Sequence, residues 1–256
     1  SGNKFRKLKY NLLQAKAENQ TTLLTFGGAF SNHIAAVAFA GKEYNFKTIG
    51  IIRGDELREK IQENPTLKFA QENGMQFEFI SRCDYSDKEN PDFIKQLREK
   101  FGSFYLIPEG GTNTLAIQGT QEILTSEDRE NYDVICCAVG TGGTIAGIIE
   151  SSSEQQQVLG FSALKGDFLQ RDIQQWTDKQ NWALTDAYCC GGYAKTSQEL
   201  LQFMQQFEQR YAIPLEQVYT AKMMMGLFDL IQKNHFSANT RILAIHTGGL
   251  QGRLNR

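Results

Sequence analysis

The chain lacks any apolar run long enough to span a bilayer, so no membrane helix is expected, and no basic-then-apolar leader stands within these residues, which open at Ser1 inside a motif and so leave a preceding segment open. It also lacks charge of one sign: 27 Lys and Arg against 29 Asp and Glu leave a net −2. That balance gives no electrostatic case for nucleic acid or an anionic membrane, and a small molecule is the default partner. CxxC spacing is absent. The five cysteines are Cys83 and two adjacent pairs, Cys136-Cys137 and Cys189-Cys190, and neighbours on a strand point to opposite faces and rarely bridge. An odd count without metal-type spacing fits buried thiols in a reducing cytoplasm and argues against a metal site. No solenoid-type repeat is present.

Three further absences narrow the chemistry. A dinucleotide fingerprint starting at Gly140 would need glycine where Ile145 stands, and a phosphate loop of the nucleotide-hydrolase kind would need lysine where Ile148 stands. Ser31 is not in a GxSxG nucleophile elbow.

With 41% apolar and 22% charged residues over 256 positions, the chain has the make-up of an ordinary globular protein, with length for one large domain or two small ones. Strand and helix patterns alternate. Leu8, Leu12 and Ala15 repeat at helical spacing across 6–17; 22–26, 47–52, 75–80 and 104–107 read as strands, with helices expected at 34–40, 66–73 and 91–100. The second half continues with an apolar run over 132–139, a helix over 145–150, strands over 158–163 and 182–187, amphipathic helices over 197–211 and 221–233, and a last strand over 241–245. The polar stretch 151–157 is too short for an interdomain linker and reads as a surface turn. The alternation predicts an α/β protein with mostly parallel sheets covered by helices.

Open parallel sheets bind ligands beyond the carboxyl ends of their strands, so the turns after strands matter most. Gly140-Thr141-Gly142-Gly143-Thr144 combines glycines that let an oxyanion approach the backbone with helix-start amides and two hydroxyls, which is a phosphate cradle or, on the turn alone, a tight turn with no ligand. In Gly27-Gly28-Ala29-Phe30-Ser31-Asn32-His33, Ser31 and Asn32 fall where a helix should begin and read as N-caps; His33 by itself reads as a surface or structural residue. Lys4, in Gly2-Asn3-Lys4-Phe5-Arg6-Lys7-Leu8, is a solvated helix-start lysine or a reactive amine. Taken together, an amine, a polar turn and a phosphate cradle are what a chain needs to bind pyridoxal phosphate covalently.

Five segments in order, Gly2-Asn3-Lys4-x-Arg6-Lys7-Leu8, Gly27-Gly28-x-x-Ser31-Asn32-His33, Gly140-Thr141-Gly142-Gly143-Thr144, Val218-Tyr219-Thr220-x-Lys222-x-Met224 and His246-Thr247-Gly248-Gly249, resemble the 1-aminocyclopropane-1-carboxylate deaminase / D-cysteine desulfhydrase family. The resemblance implies the tryptophan-synthase-β-like fold, known as fold type II: two open, mostly parallel sheets with helices on both faces. It implies a smaller inserted domain at 8–115, a larger cofactor-binding domain from 1–7 plus 116–256, and a homodimer. It also implies that Lys4 bonds the cofactor, that Lys7 holds the phosphate with Gly140, Thr141, Gly142, Gly143 and Thr144, and that Asn32 bonds the phenolic oxygen. Ser31 and His33 would line the substrate carboxylate site, with Asn32 beside them. Tyr219 would pack on the pyridine ring, Tyr193 would be a second active-site tyrosine touching substrate, and Lys4, Ser31, Tyr193 and Tyr219 would carry the catalysis. Departures are Ser1 for the first glycine of Gly-Gly-Asn-Lys, Phe30 where many relatives carry Gln, and Ala35 where they carry a polar residue.

By the same resemblance the cyclopropane deaminases carry glutamate at position 220, placed to protonate the ring nitrogen, whereas desulfhydrase-like members carry threonine. Here it is Thr220. A hydroxyl at the nitrogen, from Thr220 or from Thr247, suits β-elimination better than ring opening. The expected activity is a D-cysteine-desulfhydrase-like lyase on a small amino acid, giving pyruvate, ammonia and sulfide. The alternatives are the deaminase giving 2-oxobutanoate and ammonia, a cofactor-binding protein with little turnover, and a nucleotide-binding domain using the Gly140 turn alone.

Overall fold

The structure, a computed structural model, describes residues 2–253. Two compact units divide them: one is formed by Leu8–Asn113, the other by the residues on either side of that segment.

The Leu8–Asn113 unit follows helix α1 (Asn3–Ala17), in whose first turns the boundary falls, with β1 (Thr22–Gly27), α2 (Asn32–Tyr44), β2 (Lys47–Arg53), α3 (Pro65–Glu72), β3 (Met75–Ile80), α4 (Arg82–Ser86), α5 (Pro91–Phe101) and β4 (Tyr105–Ile107). Its sheet order is β3-β2-β1-β4, every pair parallel. Adjacent residues of β1 point to opposite faces. Leu23 joins a core with Ile34, Val37, Ile52 and Ile107, while Leu24 and Phe26 join another with Ile49, Ile51 and Phe104. Both faces are therefore covered, which is why β1 and β2 carry adjacent apolar residues, Leu23-Leu24 and Ile51-Ile52, rather than a strict alternation.

The second unit holds α6 (Thr114–Gln121), α7 (Ser126–Asn131), β5 (Val134–Val139), α8 (Gly143–Ser151), β6 (Gln157–Ser162), α9 (Phe168–Gln174), β7 (Trp182–Thr185), α10 (Gln198–Tyr211), α11 (Thr220–Gln232) and β8 (Ile242–Ile245). The order is β7-β6-β5-β8, again parallel throughout. All six residues of β5 are buried; Ile135, Cys137 and Val139 face one core layer, and Val134, Cys136 and Ala138 the other. The thiols serve as small hydrophobes, and burial pushes both Cys136 and Cys137 up to about 12.

In each sheet the chain steps outward three strands in one direction and then adds its last strand on the opposite side of the first. The strand order thus reverses beside β1 in one sheet and beside β5 in the other, and a crevice opens outside the strand ends at such a reversal. The turns that follow β1, β5 and β8 sit there.

Candidate active site

The first turn of α1 is built onto the β5–β8 reversal. Gly2 has φ +58, and a Cβ there would overlap the Thr247 carbonyl oxygen, so only glycine lets the backbone lie this close. Asn3 N donates to that same oxygen at 3.2 Å, tying the helix start to the turn after β8. On the other side Asn3 Nδ2 donates to Thr144 Oγ1 at 2.8 Å, and Lys7 Nζ lies 3.4 Å from Thr141 Oγ1, both in the turn after β5. Arg6 pairs with Glu122 at 2.9 Å and fixes the outer side.

Lys4 and Lys7 are three residues apart and share one face of α1. Lys7 is 1% exposed. Burial brings the Lys4 amine down to about 8, with the Cys137 thiol acting in the opposite direction. Burial first, and the Lys4 charge second, hold Lys7 well below the ordinary lysine value. Taking two amines out of water beside each other is unfavourable for the charged forms, and an anion bound among them reverses that cost.

The turn after β5 is shaped to supply such a place. Gly142 has φ +79 and caps α8 without a side-chain bond, and the first turn of α8 carries no acidic residue. Its leading amides have no acceptor within the helix and form the positive end of the dipole. A Cβ on Gly140 would stand 3.0 Å from the Tyr219 ring, so the bare glycine lets that ring lie against the turn. Thr120 Oγ1 donates to Gly143 O at 3.1 Å and anchors the base of α8.

Tyr219 sits at the start of α11 and Thr220 is its first residue. Sequence reasoning missed Glu216, which organises this turn. It is 2% exposed, and its carboxylate accepts from the amides of Val218 (2.8 Å), Tyr219 (2.7 Å) and Thr220 (2.7 Å), a side-chain cap for the whole helix start. Burial pushes the carboxyl up, and the amide bonds pull against that shift. Thr220 is wholly buried, and its Oγ1 accepts from Glu216 N at 2.9 Å. Its oxygen is thus engaged within its own turn, while Thr247 is 8% exposed and its carbonyl receives the Asn3 amide at the start of α1. His246 secures that last turn: its Nε2 donates to Pro214 O at 2.9 Å while Nδ1 accepts from Gly248 N at 3.2 Å.

Tyr193 and Tyr219 meet edge to face, with centroids 6.2 Å apart. One unit therefore carries Lys4, Lys7, the Gly140–Thr144 turn, Tyr193, Tyr219, Thr220 and Thr247. Ser31, Asn32 and His33 are on the other unit, at the turn between β1 and α2. There Ser31 caps α2, accepting from Ile34 N at 3.3 Å, and Asn32 is the first helical residue. His33 is not a surface residue. It is 1% exposed and its Nε2 is 2.8 Å from Thr25 Oγ1; a Cβ on Gly111 would come within 2.9 Å of the ring.

The family model for "Pyridoxal-phosphate dependent enzyme" matches residues 1–248. The chain belongs to the pyridoxal-phosphate dependent enzyme family. A putative 1-aminocyclopropane-1-carboxylate deaminase of Thermotoga maritima is 32% identical over 98% of this chain and 85% of its own length. A mitochondrial bifunctional D-cysteine desulfhydrase/1-aminocyclopropane-1-carboxylate deaminase of Arabidopsis thaliana is 31% identical over 98% of this chain and 69% of its own. The crystal structure of an ACC deaminase homologue superposes with TM-score 0.83 at 26% identity, covering 98% of this chain and 81% of that one. The fold is accordingly fold type II.

The residues present fit the cofactor of this pyridoxal-phosphate enzyme. The buried Lys7 amine beside Thr141, a turn in which a Cβ on Gly140 or Gly142 would crowd its neighbours, and a helix N-terminus without an acid are a donor set for a phosphate dianion, and the desolvated Lys4 amine on the same helix face remains for a carbonyl carbon. Among the described residues no cluster of His, Cys, Asp or Glu is arranged for a metal ion, and no helix is long and apolar enough to cross a membrane.

Proposed function

We propose that this pyridoxal-phosphate enzyme is a D-cysteine-desulfhydrase-like lyase that eliminates a β-substituent from a small amino acid, giving pyruvate and ammonia, with sulfide where the substituent is a thiol. The observation that carries the reading is the Lys4–Lys7 pair on the face of α1 that is tied to the turns after β5 and β8. When bound, the cofactor supplies a carbonyl carbon that captures amines and a conjugated ring that spreads negative charge from the substrate Cα. Lys4 Nζ holds the cofactor and, when free, moves the proton at Cα; an amine near 8 is poised for both tasks around neutral pH. Lys7, Thr141 and the Gly142–Thr144 amides hold the phosphate. Tyr219, which lies against Gly140, would support the ring, and the Thr247 hydroxyl would serve the ring nitrogen. A hydroxyl there does not donate a full proton, which suits elimination over ring opening. Ser31, Asn32, His33 and Tyr193 are taken as substrate and cofactor contacts on the motif resemblance alone. The five free cysteines fit a reducing compartment such as the cytoplasm, and the family resemblance supports a homodimer.

The test is a panel of D- and L-amino acids with 1-aminocyclopropane-1-carboxylate, reading pyruvate against 2-oxobutanoate, in the native protein and in Lys4→Ala. Pyruvate from D-cysteine or β-chloroalanine, abolished by Lys4→Ala, is expected. Preferential release of 2-oxobutanoate from the cyclopropane substrate would replace this reading with the deaminase, and cofactor binding without product would replace it with a carrier.

A further inference from the structure

Lys222 lies one turn into α11, three residues after Tyr219, and is 1% exposed. A lysine this deep normally needs acceptors at close range. Its Nζ donates to two backbone carbonyls, Cys189 O at 2.7 Å and Gly192 O at 2.8 Å. Both oxygens already close turns: Gly192 N donates to Cys189 O at 3.0 Å, and Lys195 N to Gly192 O at 3.2 Å. The ammonium therefore ties two consecutive turns together at their acceptor ends.

That segment does not hold its shape by backbone preference. Cys190 (φ 54), Gly191 (φ 87), Gly192 (φ 127) and Ala194 (φ 57) are all in the positive-φ region, and two of them carry a Cβ that disfavours it. Strained backbone of this kind persists when its surroundings over-determine it. A second tether lies on the N-terminal side, where Tyr188 donates to Asp229 Oδ2 at 2.6 Å and a Cβ on Gly226 would stand 2.6 Å from the Tyr188 ring. Tyr193 is between the two residues in left-handed conformation, and its ring meets Tyr219.

We propose that Lys222 is the positioning residue for Tyr193: by clamping the Cys189 and Gly192 carbonyls it holds the double turn on α11, so that the helix presenting Tyr219 also sets the tyrosine opposite it. The catalytic consequence rests on the functional reading above; the clamp itself does not. Removing the amine frees two carbonyls and lets the turn relax, and Tyr193 leaves its place without the core of either sheet being touched.

The clamp is read in apo protein carrying Cys83→Ser, which removes the exposed thiol. Cys190, half-buried in the turn, then reports on it through its rate of reaction with a thiol reagent. Lys222→Met is expected to raise that rate about tenfold or more through local opening, and Lys222→Arg, which keeps a donor, to raise it less; if the Met variant does not fold, Lys222→Gln replaces it. An unchanged rate overturns the clamp. In the holoenzyme, Lys222→Met and Tyr193→Phe should each lower kcat/KM, and the double variant should be no worse than Tyr193→Phe to within about a factor of two, because one residue acts through the other. Additive losses, or full activity in Tyr193→Phe, overturn the positioning role. Should the substrate panel give no product, the visible absorbance of the bound cofactor takes the place of kcat/KM in the same cycle, so the fate of the functional reading and that of the clamp are separable.

Discussion

Replacing Lys7 with methionine should move stability and cofactor affinity in opposite directions. Methionine keeps most of the volume of the buried stem, a kind of swap that costs under about 1.5 kcal/mol in a packed site, and it deletes an amine that burial and the Lys4 charge hold well below its ordinary value. The apo protein should therefore be as stable as the native one or more so. The phosphate loses a charge-assisted bond worth about 1.5–3 kcal/mol. At 1.36 kcal/mol per decade this corresponds to an affinity roughly 10- to 150-fold weaker. Covalent capture by Lys4 complicates any single constant, so the assay titrates apo protein with pyridoxal phosphate and, in parallel, with pyridoxal. The two ligands share the carbonyl and the ring and differ only in the phosphate. Lys7→Met should weaken the first and leave the second nearly unchanged. Equal losses for both ligands, or no loss for either, would refute the placement of the phosphate beside Lys7, and a fall of several degrees in apo Tm would show that Lys7 is a structural residue instead.

Lys4 gives the apo protein a pH signature: its folded value of about 8 lies below the ordinary lysine value of 10.5, so the unfolded chain binds more protons between those limits and stability should rise with pH across that window. Below about 8 the burial penalty is fully present, and the rise should flatten in Lys4→Met; identical slopes of Tm against pH in the two proteins would sink the assignment. Gly140→Ala should cost about 1–3 kcal/mol by overpacking, since the new Cβ meets the Tyr219 ring at 3.0 Å; because the clash is with that ring, Tyr219→Leu should absorb most of the cost, and simple additivity in thermal denaturation would count against it. Thr220→Val should lower Tm by the equivalent of about 1–3 kcal/mol, the cost of leaving the Glu216 amide without its acceptor, with kcat/KM for D-cysteine falling little; a large loss of turnover in a stable variant would put the Thr220 hydroxyl on the cofactor after all.

What the sequence makes legible follows from what each residue type signals. Buried strands such as Val134–Val139 announce themselves as continuous apolar runs, and capped helices such as α5 by Asn90-Pro91 at the start and Gly102 at the end. Helix α6 carries no such sign. Its small and polar letters are buried because it lies flat on α8, where Gly147 has no side chain and the Thr120 hydroxyl takes the space, and that contact depends on a neighbour a sequence window cannot see. Helix α9 and the 3₁₀ stretch Asp55–Glu63 are short or highly charged and give equally weak periodicity. Of the candidate site, Lys4, Lys7 and the Gly140 turn are visible as motifs. Glu216 stands in none of the motifs, and Lys222 stands in one without its role being readable there, because a charged letter reads as solvated surface and only the fold reveals that both are buried, one at a helix N-terminus and the other on two carbonyls. Thr220 shows another limit: the letter invites a role on the ring nitrogen, and only the fold reveals that its oxygen also accepts from Glu216 N.

The order of elements explains how the first turn of α1, which carries Lys4, finds its seat. Strand β8 is the last of its sheet, yet it pairs with β5, the first, through Val134↔Ile242 to Cys137↔Ile245. The turn that follows β8 is thereby brought beside the turn that follows β5, and only then do both faces of a seat for the first turn of α1 exist: Thr247 O for the Asn3 amide on one side, Thr144 Oγ1 for its side chain on the other. Neither contact is local, since Asn3 bonds residues 141 and 244 positions away. Contacts of such separation are formed at high entropic cost, and bare Gly2 is what allows the start of α1 to close to bonding distance on the Thr247 carbonyl. The amine at Lys4 is depressed only in that closed arrangement, because burial is its first cause. Its lowered value is therefore a property of the completed sheet rather than of the Gly-Asn-Lys segment, and a change that loosens β8 should return Lys4 towards the ordinary lysine value without touching any residue of the motif.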